Sequence, residues 1–251
     1  MATSPPLGFA PRTFRKTQTF FWSIRLSIAT SVVLVALGLW RWGAVEVRGH
    51  FEPVFFLTFL GFIWLMLSLH LVPWLGLSMA DDAIERQNRA ALVALCGAAF
   101  AVAIIYVYGN FGEGPSYWNN IFSAGLGTLG LLVLWSVLEF GSHVSISIAE
   151  ERDLASGIRL CGFLLAAGLI LGRAVAGNWH SESDTVRDFF HDGWPAGGLC
   201  LGANILEWFL RPTRKRPFPA WLNCGLMPAV IYVAAATAWV CHLGRWEGMP
   251  T

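Results

Sequence analysis

Seven apolar runs constrain this chain more than any other feature, because each is close to the ~20 residues a helix needs to cross the hydrocarbon of a bilayer. They fall at roughly 20 to 43, 54 to 78, 90 to 108, 118 to 140, 156 to 176, 193 to 210 and 219 to 241. The runs are continuous rather than alternating, which excludes a membrane β-barrel. Only helices then satisfy the backbone groups inside lipid. The expected class is all-α, a polytopic transmembrane helix bundle of about seven spans. The connections are short, and no separate soluble domain can be cut out. The N-terminal run follows basic residues but lacks a small-residue cleavage site, so it reads as an uncleaved first helix.

Orientation follows from the basic residues. Arg12, Arg15 and Lys16 precede the first span, Arg86 and Arg89 the third, and Arg152 the fifth; Arg211, Arg214, Lys215 and Arg216 separate the sixth and seventh. With seven spans all of these share one side, and only Arg48, Arg187 and Arg245 fall clearly in the opposite segments. The positive-inside rule makes the richer side cytoplasmic, with the N-terminus inside and the C-terminus outside. Tryptophans agree: Trp22, Trp74, Trp208 and Trp221 fall at inner ends, and Trp40, Trp42, Trp118, Trp179, Trp194 and Trp246 at outer ends. Trp64 and Trp135 lie mid-span, as packing residues do. The net charge of +1 gives no reason to expect a nucleic-acid partner.

The chain also matches itself. At an offset of 65, Glu85 to Gly109 aligns with Glu150 to Ala174, pairing Glu85 with Glu150, Cys96 with Cys161, Gly97 with Gly162 and Ala101 with Ala166. At an offset of 68 the following spans pair Gly125 with Gly193, Gly130 with Gly198 and Glu139 with Glu207. The expected unit is therefore two helices that leave and return to one side, so its copies run parallel. The division that results is residues 1–80, two N-terminal spans; 81–141, unit A; 142–211, unit B; and 212–251, a basic loop and a last span. At an offset of 134, Ile24, Arg25 and Leu26 match Ile158, Arg159 and Leu160, and Leu37 and Gly38 match Leu171 and Gly172. Five matches in biased helices also arise by chance, so a degraded third copy at the front stays open.

Gly168 and Gly172, and likewise Gly198 and Gly202, form small-xxx-small steps, expected to serve packing within the chain. The five cysteines sit in expected spans without CxxC or Cys/His metal spacing, and read as small buried hydrophobes.

Residues 75 to 100, LGLSMADDAIERQNRAALVALCGAAF, and 150 to 179, EERDLASGIRLCGFLLAAGLILGRAVAGNW, resemble an uncharacterised bacterial inner-membrane family of repeated two-helix units, the YjfL-like proteins (domain of unknown function 350). In that family a polar Asn or Asp introduces Ala and Gly at the start of each first helix; Asn88 with Ala90, and Asp153 with Ala155 and Gly157, fill those places. The resemblance covers about residues 75 to 211. It implies a fold and a bacterial inner membrane, and carries no catalytic residue across. Spans one, two and seven depart from the family's four-span pattern.

Few residues invite chemistry. Glu139 and Glu207 stand near the inner ends of their spans, where an acid costs less than the roughly 2.5–3.5 kcal/mol it costs at mid-bilayer but still asks for an explanation. They reach the interface, pair with Arg25 and Arg159 on the same side, or line an ion path. His70 in span two and His143 after span four are the imidazoles a haem would need, but membrane cytochromes pair histidines across the bilayer and this chain offers no such second pair. No cofactor is expected. In the outer stretch NWHSESDTVRDFFHDGW, residues Asp184, Asp188, His191 and Asp192 recur along one helical face, a spacing able to present O and N ligands to a divalent cation. The alternative is a solvated interfacial helix capped by Ser183 or Asp184. HExxH, GxSxG and Gly-rich phosphate loops are missing, so the expectation is a non-enzymatic membrane scaffold or assembly component. Its expected partners are the lipid bilayer and other chains, in a homo- or hetero-oligomer. The alternative is a small-ion or proton channel or transporter using Glu139 and Glu207, with Arg25, Arg159 and His70.

Overall fold

The computed structural model describes residues 11–215 and 219–249, with only the backbone of 11–17, so the side chains of Arg12, Arg15 and Lys16, and Arg216 altogether, lie outside the described residues. Eight α-helices form: α1 (Pro11–Trp42), α2 (Phe51–Leu71), α3 (Arg89–Tyr108), α4 (Tyr117–Ser142), α5 (Val144–Ala149), α6 (Leu154–Ala174), α7 (Glu182–Leu210) and α8 (Met227–Leu243). A 3₁₀ turn at Val72–Leu75 and π-helical turns at Met79–Glu85 and Trp221–Leu226 complete the described order. Among the described residues no β-strand forms.

Six of these segments are long and apolar enough to cross a membrane: α1 from Gln18, α2 with its 3₁₀ extension, α3, α4, α6, and α8 with the π-helical turn before it. The chain is a multi-pass membrane protein. The seventh expected span, 193 to 210, is the C-terminal part of α7, which falls short of that standard because its glycines, Pro195, Asn204 and Glu207 lower its hydropathy. The helix expected in that outer stretch forms from Glu182 and runs straight on into the span, and Ser181, rather than Ser183 or Asp184, caps it by accepting from the Asp184 amide at 3.1 Å.

Breakers end the helices where the sequence supplies them. Pro73 cannot continue α2, and the turn that follows closes on Gly76 at φ 85°. The starts of α3 and α6 are built alike. Asn88 caps α3, accepting from Ala90 N and Ala91 N, and Asp153 caps α6 through Ala155 N and Ser156 N. Before each cap stands a residue in left-handed conformation, Gln87 at φ 52° and Arg152 at φ 55°. The capping amides reach back to matching carbonyls, Asn88 N to Asp82 O and Asp153 N to Ser147 O.

The helices α3 and α6 form the core. In each, 72% of the best spanning window is buried, against 22–39% in the other spans. Small residues allow this. A Cβ on Gly157 would lie 2.8 Å from the Ala90 Cα, one on Gly97 2.8 Å from the Cys161 Cα, and one on Gly168 3.0 Å from the Ala101 Cα. The Cys-Gly step is thus packing material. The contacts recur on the far side of α6, where Gly225 meets Ala155 and Gly162 meets Ala229. Helix α1 packs on α3, with Gly38 against Val107, and α8 packs on α6. Around this row stand α2, α4 and α7.

Exposed faces are apolar, as lipid requires: Phe51, Phe55, Phe56 and Phe59 on α2, and Met227, Val230 and Ile231 on α8. Trp135 is buried, and Trp64 donates from Nε1 to Thr128 Oγ1 at 3.1 Å, so both mid-span tryptophans pack. Two expectations need correcting. Gly168 and Gly172 pack within the chain, but nothing lies within 4 Å of a Cβ built on Gly198 or Gly202. The five cysteines are all thiols, but only Cys200 and Cys224 are buried; Cys96 and Cys161 are half-buried and Cys241 is exposed.

Candidate functional site

The N-terminal end of α6 carries its charge into the bundle. Asp153 opens the helix, Ser156 follows one turn later, and Arg159 one turn after that. Arg159 is among the largest fully buried side chains. Burying a guanidinium without partners is expensive, and four of its hydrogen bonds are visible. Nε donates to Glu207 Oε1 at 2.6 Å and Nη2 to Glu207 Oε2 at 2.7 Å, the bidentate fork that matches a carboxylate. Nη2 also donates to Ser156 Oγ at 2.8 Å, and Nη1 to the Cys224 carbonyl in the second π-helical turn. Ser156 Oγ passes its own proton to Asp153 Oδ2 at 2.7 Å. Side chains of Arg159 and Glu207 are 1% and 5% exposed, so water contributes almost nothing to holding the pair.

Helix direction explains why the two need each other. Glu207 sits in the last turn of α7, where the partial negative charge of the helix end disfavours an anion. Arg159 sits near the start of α6, the end that disfavours a cation. Each charge is poorly placed on its own helix and well placed against the other. Tyr232 on α8 is buried close enough to feel both charges. The pair therefore joins α6, α7 and the entry to α8.

The other sequence candidates are not brought here. Arg25 and Glu139 do not pair. Arg25 is exposed on α1 and lies over the Phe21 ring at 3.9 Å, while Glu139 is half-buried and accepts from Ser145 N at 3.0 Å and Ser145 Oγ at 2.5 Å. His70 is exposed at the end of α2, so it joins no buried polar path with the acids. His143 is the left-handed cap of α4 at φ 51°.

The acidic face of α7 holds no cluster. Among the described residues no group of three or more His, Cys, Asp and Glu side chains converges as metal ligands. Asp184 bonds Ser181 and Arg187, Asp188 approaches Arg187 at 3.6 Å, and His191 bonds Asp192 at 2.8 Å. These residues share a face, but basic neighbours and a capping serine take up their oxygens.

Sequence reasoning missed Asp153 and Ser156, the acceptor relay beside Arg159, and the Cys224 carbonyl that accepts from it. The signal for the first two was the spacing Asp-x-x-Ser-x-x-Arg into a span, which stacks three polar side chains on adjacent turns of one helix.

No family model matches the chain, and no curated protein or solved structure matches it either. The likeness of residues 75 to 211 to the two-helix-unit family rests on the quoted residues alone.

Proposed function

We propose that this protein is a non-enzymatic scaffold or assembly component of a bacterial inner membrane, multi-pass, with its N-terminus in the cytoplasm and its C-terminus outside. One observation carries the reading: the buried acid, Glu207, is closed by a bidentate arginine that also donates to Ser156 and the Cys224 carbonyl, which joins three helices and leaves neither Glu207 oxygen free for transport. The close α3–α6 seam adds to it, since a core of glycine-on-backbone contacts resists the opening a transport path needs. In this proposal the matched starts of α3 and α6 are two copies of one unit, in keeping with the family that residues 75 to 211 resemble. A core that rigid acts through its lipid-facing helices, by associating with copies of itself or with other membrane chains.

The test is purification in mild detergent with chemical cross-linking beforehand in the membrane. A homo-oligomer, or a stoichiometric membrane partner that survives purification, is expected. A strictly monomeric, partner-free protein overturns the scaffold. The assigned sidedness is checked by reporter fusions at both termini.

A small-ion or proton path is the second reading, favoured by Glu139. Its carboxylate is held by Ser145 alone among the bonds described above, with no cation on it. Proteoliposomes decide: flux that disappears in Glu139→Gln supports the path, and absence of proton and common-cation flux removes it.

A further inference from the structure

At the opposite end of the bundle from the ion pair, α3, α4, α6 and α7 open around a cavity of about 250 Å³. Its roof is two loops bound side by side. Gly177 N donates to Phe111 O at 3.0 Å, Trp179 N to Glu113 O at 2.7 Å, and Glu113 N to Asn178 Oδ1 at 3.0 Å. Gly112 and Gly177 carry positive φ, 102° and 138°, which lets the two backbones approach. The roof is therefore built, and the cavity does not depend on a loose segment.

Two of the lining side chains are almost wholly buried and hold unused donors. Arg173, in the last turn of α6, has a side chain only 7% exposed, and its Nε has no partner. Its other nitrogens are weakly engaged, Nη2 with the Gly244 carbonyl at 3.4 Å and Nη1 with Asp192 Oδ2 at 3.9 Å. Asn119, in the first turn of α4, is 5% exposed, and its Nδ2 has no partner. Buried donors without acceptors are uncommon because each carries its full desolvation cost.

Acids line the cavity too, but Glu113 is exposed and the others already meet a guanidinium or an imidazole. Asp188 approaches Arg187 at 3.6 Å, Glu247 meets His180 at 3.1 Å, and Asp192 shares its oxygens between His191 at 2.8 Å and Arg173. What remains buried and unmatched is a guanidinium edge, the Asn119 amide N–H and the Trp246 indole N–H, all donors, so the ligand they fit is an acceptor carrying negative charge.

We propose that this cavity binds a small oxyanion, a carboxylate or phosphate group, between Arg173 and Asn119. The group belongs either to a free solute or to the headgroup of an anionic lipid, since the cavity is lined by the ends of spanning helices, at Gly109, Asn119 and Arg173. The site is separate from the Arg159–Glu207 lock and does not depend on the scaffold reading.

The full chain in phosphatidylcholine nanodiscs is titrated with inorganic phosphate and with acetate, following thermal unfolding and heat of binding. A saturable rise in Tm is expected. Arg173→Gln removes it. Because that variant also leaves Asp192 with less support, Asn119→Asp, isosteric but charged against an anion, is measured alongside. It is expected to keep the ligand-free Tm and weaken anion binding at least about tenfold. Native mass spectrometry from nanodiscs mixed with phosphatidylglycerol separates the sources. Selective retention of that lipid, lost in Asn119→Asp, identifies a headgroup, and a phosphate response persisting in lipid-free detergent identifies a solute. If neither anion shifts Tm and no anionic lipid is retained, water alone satisfies these donors and the proposal fails. An anion response equal in wild type and Asn119→Asp also overturns it.

Discussion

Glu207→Gln separates a structural ion pair from an acid that lines a path, because the two assignments differ in the sign of the effect. In the wild type the Arg159 guanidinium directs Nε and Nη2 at the two carboxylate oxygens, at 2.6 and 2.7 Å, with both side chains out of water. The amide keeps one oxygen and replaces the other with a donor that points at a donor. Arg159 remains charged and buried, with Ser156 and the Cys224 carbonyl as its surviving acceptors. A hydrogen bond to a charged group contributes about 1.5–3 kcal/mol. Removing one partner of a buried pair costs about 3–5 kcal/mol, which is the loss expected here. An acid facing a hydrated path has no such partner, and neutralising it leaves stability unchanged or raises it. Unfolding by sodium dodecyl sulfate in mixed micelles, read by tryptophan fluorescence, measures the difference. Combining Arg159→Met with Glu207→Leu removes both charges and is expected to recover most of the loss. A Glu207→Gln protein within about 1 kcal/mol of wild type would refute the lock.

Further expectations use the same assay. Glu139→Gln weakens the two bonds from Ser145 at a half-buried site and is expected to cost about 1–2 kcal/mol, clearly less than Glu207→Gln; equal costs would contradict the assignment. Gly157→Ala places a Cβ under 3.0 Å from the Ala90 backbone and should cost about 1–3 kcal/mol, whereas Gly198→Ala meets nothing and should gain about 0.5–1 kcal/mol from helix propensity. Losses at both positions would mean that the α7 face is covered. Asn88→Ala removes the α3 cap and the 2.6 Å bond to the Ile148 carbonyl, for an expected loss of about 2–3 kcal/mol. Arg152→Gly relieves a left-handed residue and should stabilise by about 1 kcal/mol; a loss would show that the Arg152 side chain supports the turn.

The spans were legible because lipid imposes a single rule on length and polarity, and the continuous runs around Leu95, Leu131 and Leu164 obey it. The π-helical turns and α5 were not, because segments such as Met79–Glu85 mix apolar and acidic residues over too few positions for a period to register. The extent of α7 was hidden by its composition: Asp184, Arg187 and Asp188 read as an interfacial segment apart from the span, yet Ser181 and the following acids start the same helix that carries it. Arg159 and Glu207 were found because charge inside a span is rare enough to notice. Arg25 was placed wrongly for a physical reason. Along a helix apolar on most sides, periodicity does not say which face turns inward, and the side chain of Arg25 lies over Phe21 instead of reaching Glu139. Arg173 escaped notice because it ends a span, where a basic residue is ordinarily interfacial.

The two glutamates show how matching positions acquire different physics. Glu139 and Glu207 end the two helices that follow α3 and α6, but the residue of α3 that matches Arg159 is Ala94. Ala94 is fully buried in the core, so a cation could not be carried there without opening the core itself. Glu139 therefore turns along its own chain to Ser145, a bond that ties α4 only to the short α5 that follows it. On α6 the same position faces α7 and the π-helical turn leading into α8, and Cys224 offers a backbone carbonyl there in addition to the Glu207 carboxylate. A long, forked side chain with several donors is what such a three-way junction needs, and a lysine would lack the geometry to serve it. The charge thus follows from the packing: where first helices meet tightly the position is alanine, and where a helix entry widens the junction it is arginine. This makes the α6–α7–α8 corner the cross-linked part of the bundle and leaves the α4 end held more weakly.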